Sequence, residues 1–121
     1  FRSIPMASLQ PVPHLTVEDE DDWIVSFALG APGAGRLTLT RAPRLEFMVQ
    51  PERRGVSVDC DRDQRAALLV AVKWGAKNVD VVSTERRYCL DISRVDERIL
   101  ADALRVLGKM NFDQRFQLAG A

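Results

Sequence analysis

Apolar and polar residues alternate along much of this chain. Trp23, Val25, Phe27 and Leu29 share one parity, with Ser26 and Ala28 on the other; that is the period of a half-buried strand. Leu37 and Leu39 face inward in residues 36–41, between outward Arg36, Thr38 and Thr40. Leu45, Phe47 and Val49 repeat the pattern, and so do Val56, Val58 and Cys60, with Pro51-Glu52-Arg53-Arg54-Gly55 as the joining turn. Residues 79–83 and 88–92 complete a set of six predicted strands around Thr84-Glu85-Arg86-Arg87.

Two stretches change to helical spacing. Ala66, Ala67, Val70, Ala71 and Trp74 form a stripe after Asp61 and Gln64, which fit a capping box, and Gly75 marks a stop. Ile99, Leu100, Ala103, Leu104 and Leu107 form a second stripe after Ser93 and Asp96. The expected fold is therefore α+β. A mainly antiparallel sheet of about six strands carries two helices on one face, in the order ββββ-α-ββ-α. The strands flanking the first helix are expected to be parallel neighbours.

The two helical stripes lie 33 residues apart, and other residues echo at the same spacing. Glu52, Arg53 and Arg54 return as Glu85, Arg86 and Arg87; Gly75 and Asn78 return as Gly108 and Asn111. This suggests one ββα unit used twice. The strand sets Val56, Val58, Cys60 and Tyr88, Leu90, Ile92 differ by 32, so a strict duplication needs a bulge in one copy.

Residues 6–22 show no apolar period and end in an acidic run at residues 18–22. They are expected to form a flexible acidic arm, with residues 1–5 a remnant ahead of a natural start at Met6. Residues 23–121 then form the single domain. The longest apolar run has seven residues, against about 20 for a membrane helix. Two cysteines make no disulfide framework; a cytoplasmic protein with reduced thiols is the expectation. Formal charge is zero, but residues 36–115 hold 16 Lys and Arg against 12 Asp and Glu. That surplus is too small for a general nucleic-acid binder.

Candidate chemistry is sparse. The glycines of residues 30–35 lack the Gly-Lys-Ser/Thr ending and following helix of a phosphate loop. Asp59, Asp61 and Asp63 alternate as calcium ligands do, but Gln64 and Val70 stand where glycine and glutamate are required. Cys60 and Cys89 lack the close partners of a zinc site. Cys60 is expected just before a helix, yet His14 is the only histidine available as its base. No catalytic residue, metal or cofactor is assigned.

Arg53, Arg54, Arg86 and Arg87 are the candidate contact residues, as two basic prongs on related turns. Tyr88 and Phe47 are expected inward and Trp74 on a core face, which leaves few aromatics for stacking on bases. The element order is similar to that of small sheet-and-helix domains in secretion chaperones and toxin-immunity proteins, a likeness of architecture alone. The expected function is a non-catalytic protein-binding module of adaptor, chaperone or inhibitor type. It would act through its sheet surface or the arginine turns, with self-association through an edge strand. Nucleic-acid binding by the same arginines is the alternative. The acidic arm is expected to fold back over those turns.

Overall fold

The computed structural model describes residues 9–30, 35–60 and 63–120. Among these residues nine strands and one long helix follow in chain order: β1 (Gln10–Pro11), β2 (His14–Asp19), β3 (Trp23–Ala28), β4 (Arg36–Arg41), β5 (Ser57–Cys60), β6 (Asp63–Trp74), β7 (Asn78–Ser83), β8 (Arg87–Asp91), α1 (Glu97–Met110) and β9 (Gln117–Ala119). They form one mixed sheet ordered β1-β8-β7-β6-β5-β4-β3-β2, with β9 beside β6. This overturns the expected six strands and two helices. The parallel pairs are β1 with β8 and β6 with β9, while β6 is antiparallel to both β5 and β7.

The largest correction is β6, where a helix was expected. Its register against β7 slips between Leu69 and Ala71. A bulge adds one residue to a strand and breaks its period of two. Leu69, Val72 and Trp74 are consequently buried, while Val70 is exposed. Inward steps of three and then two imitate a helical stripe over so short a run. Asp61, half of the expected capping box, lies outside the described residues. So do residues 1–8, including the expected remnant, and the glycine loop at residues 31–34.

The expected strand over residues 45–49 is also absent. Residues 43–48 and 51–53 form short 3-10 turns, each opening on a proline, Pro43 and Pro51. Proline cannot donate to a ladder, but it is well placed in a first helical turn. The 33-residue echo is not a structural repeat, since β6 and α1 occupy its two copies. Helix α1 forms as expected, with two adjustments. Asp96 is its N-cap and accepts from the Arg98 amide at 2.8 Å, and the buried face is Ala103, Val106, Leu107 and Met110. Ile99 turns partly outward.

Residues 10–19, expected in an arm, supply two strands at opposite ends of the sheet path. Only Val12 and Pro13 separate them, so those ends lie no more than roughly 11 Å apart. The sheet is therefore rolled. The Gly30 amide donates to the Pro11 carbonyl at 2.8 Å across the seam, and Val12 is wholly buried. Helix α1 packs on β2 and β3. Asp19, at the end of β2, accepts from Arg105 at 2.7 Å and Lys109 at 2.8 Å. Asp22 lies 3.4 Å from Arg44. These two members of the acidic run thus meet α1 and the loop after β4, where the basic turns were expected.

Candidate functional site

The connection between β4 and β5 is long for neighbouring antiparallel strands, and it is built around one buried cation. Arg41 ends β4 on the same parity as Leu37 and Leu39 and is 1% exposed. Its Nε donates to Glu46 Oε2 at 2.7 Å and its Nη2 to Glu46 Oε1 at 2.9 Å. A second fork reaches Asp113 at 2.8 Å on both oxygens, and Nη1 also donates to the Met110 carbonyl at 2.7 Å. The Phe112 ring lies over the guanidinium, 4.3 Å from its centroid, and meets Trp23 edge-on at 6.2 Å. The Arg41 guanidinium beside it holds the Asp113 carboxyl well below the usual range.

Burying Arg41 dictates what its loop displays. Glu46 must turn inward to reach it, so its neighbours Leu45 and Phe47 turn out. Phe47 is 77% exposed and Met48 is 73% exposed. The expected inward Phe47 is thereby corrected; Tyr88 and Trp74 are buried as expected. Further bonds fix the loop. Arg54 Nε donates to the Val49 carbonyl at 3.0 Å, and Arg115 Nη1 donates to the Pro51 and Arg54 carbonyls at 2.8 and 3.1 Å. The exposed apolar side chains therefore stand on a braced frame.

The two arginine turns are unlike in structure. Arg53 closes the second 3-10 turn, and Arg54 follows it. Arg86 lies in the β7–β8 turn, where Ser83 Oγ accepts from the amides of Glu85 and Arg86, and Arg87 opens β8. Arg87 pairs with Asp80 at 2.9 Å. They are not pseudo-symmetric prongs; β5 and β7, which they adjoin, lie on opposite edges of β6. Ser57 pairs with Leu68 and Ser83 with Leu69, so the start of β5 and the end of β7 meet at the middle of β6. Arg53, Ser57, Ala67, Leu68 and Thr84 line one shallow groove there, and Thr84 Oγ1 accepts from the Leu68 amide at 3.2 Å.

The cysteines stand apart from this surface. Cys60 ends β5 and is buried, with a strand after it where a helix was expected. Burial pushes the Cys89 thiol up, and the carboxylate of Asp80 adds to the effect. Among the described residues, no three His, Cys, Asp or Glu side chains converge as a metal site would require. No helix among them is long and apolar enough to cross a membrane. Comparison with protein-family models, curated proteins and solved structures finds no match for this chain.

The sequence pattern missed Arg41 and the display of Phe47 and Met48. One signal was present: Arg41 stands on the inward parity of a strand whose other inward residues are leucines.

Proposed function

We propose that this protein is a non-catalytic module that binds another protein through the braced loop over residues 42–54. The observation that carries this reading is the exposure of Phe47 and Met48 on a frame fixed by Arg41 and Arg115. Aromatic residues, methionine and arginine are the side chains enriched at protein interfaces. A preorganised display also spares the entropy of ordering a loop on binding. Arg44, Arg53 and Arg54 lie on the same connection, so the partner's chemistry is an apolar segment flanked by carboxylates. Adaptor, chaperone and inhibitor roles all fit such a surface.

The test compares proteins captured from the native host by the wild type and by F47D/M48D, followed by titration of the partner so identified. The wild type retains a partner that the variant binds at least about 30-fold more weakly, the scale of an interface hot spot. Unchanged capture by a folded F47D/M48D variant overturns the reading. Polyanion binding by Arg53, Arg54, Arg86 and Arg87 is the second reading, supported by the groove in which Arg53 lies beside Thr84 of the other arginine turn. It requires oligonucleotide affinity that falls steeply with salt and a slope reduced by R53A/R54A.

A further inference from the structure

β2 is the last strand of the sheet path, and among the described residues it pairs with β3 alone. Its outer edge borders an open groove lined by Leu15, Thr16 and Val17 on one side and by Arg98, Ile99 and Asp102 of α1 on the other. Successive strand residues point to opposite faces, so three in a row line one groove only where it runs along the strand's edge. Unpaired edges are normally blunted by charged side chains, proline, a bulge or a covering helix. In β2, HLTVED, the acidic residues stand only at the C-terminal end, where Asp19 is held by Arg105 and Lys109 of α1; residues 14–17 hold no lysine, acid or proline, and the register against β3 is unbroken. Ile99 adds a 39% exposed apolar side chain to the groove wall.

We propose that two copies of this chain associate through this edge, β2 antiparallel to β2 about a two-fold axis at Thr16. Self-complementarity identifies the occupant. An antiparallel ladder centred on Thr16 preserves parity, so His14 stands opposite the partner's Glu18 and Leu15 opposite the partner's Val17. Polar side chains fall on the outer face and apolar side chains on the inner one. The same axis sets the two α1 helices antiparallel, with Arg98 facing the partner's Asp102 and the two Ile99 side chains close to the axis. An isologous contact requires a surface that complements itself, and strand and helix satisfy this together. The proposal is independent of the loop reading.

A six-residue ladder with one helical turn is a small contact, so the dimer is reversible and dissociates on dilution. Sedimentation equilibrium over a range of concentrations is the test. The expected mass rises from 13.6 kDa toward twice that value. D102R places Arg98 against a partner arginine, and R98D places Asp102 against a partner aspartate; each weakens association about tenfold or more. The double variant R98D/D102R restores wild-type association. Asp102 also pairs with Arg105 within the helix, so thermal melts accompany each variant to confirm folding. A wild type that is monomeric throughout overturns the proposal. So does a dimer indifferent to the single exchanges, or a folded double variant that fails to recover.

Discussion

At the scale of residues, Arg41 decides more than any other side chain. It ties the end of β4 to Glu46 in the loop and to Met110 and Asp113 at the end of α1. Removing one partner of a buried ion pair leaves the other uncompensated, at a cost of roughly 3–5 kcal/mol. R41M is expected near the low end, about 3 kcal/mol by urea unfolding, because both carboxylates keep some contact with water. A loss below about 0.5 kcal/mol would mean that the hub contributes nothing. Asp113 gives the matching pH dependence. Its folded-state pKa is depressed from 3.8, first by hydrogen bonds from Arg41. Its contribution is therefore fully present above about pH 4 and is lost as pH falls toward the depressed value. D113N should be less stable than wild type at pH 7, and the difference should narrow as pH drops through 4 toward 2. A difference that is constant with pH would refute this. Parity would have placed Arg41 inward had it been followed to the strand's end, but its partners lie 5 and 72 positions away, and no local pattern shows such a meeting.

At the scale of elements, legibility followed the purity of each period. The strands holding Val25 and Phe27, Leu37 and Leu39, Val79 and Val81, and Tyr88 and Leu90 are uninterrupted, and the alternation located each of them. β6 failed because its bulge shifts the phase at Val70. The residue 45–49 stretch failed because Glu46 is drawn to Arg41, which inverts the side chains predicted inward. Helix α1 was legible because a long amphipathic stripe and a capping acid agree. Asp96 Oδ1 satisfies an otherwise orphaned amide, so D96A should cost about 1 kcal/mol. Calorimetry of the melt measures that loss, and an unchanged melt would count against the cap. Strand β9 has only three residues and gave no usable period. What holds its end is Gly120, at φ +81°, where an added Cβ would fall on the Trp74 carbonyl oxygen. G120A should detach β9 and accelerate amide exchange over residues 117–119. Retained protection there would show that the strand tolerates the shift.

At the scale of the whole molecule, closure of the sheet was invisible to a reading of local periods. β1 has two residues and pairs with β8, whose partners lie 80 positions along the chain: Gln10 with Leu90 and Pro11 with Asp91. Such pairing becomes favourable only after a long loop has closed, so it carries no local signature. Val12 marks where closure is sealed: its amide donates to the Asp91 carbonyl at 2.9 Å, and its side chain has no exposure. V12A removes two methyl groups, at about 0.8 kcal/mol each, and adds a small cavity, for an expected loss of about 2 kcal/mol. If residues 9–13 were an arm outside the core, the same change would fall within about 0.5 kcal/mol of wild type, as surface substitutions do. Urea unfolding distinguishes these outcomes, and the slope adds a second reading. Should closure fold with the rest of the sheet, V12A shifts the midpoint and leaves the slope intact; a reduced slope would mean that the seam opens ahead of the remaining core.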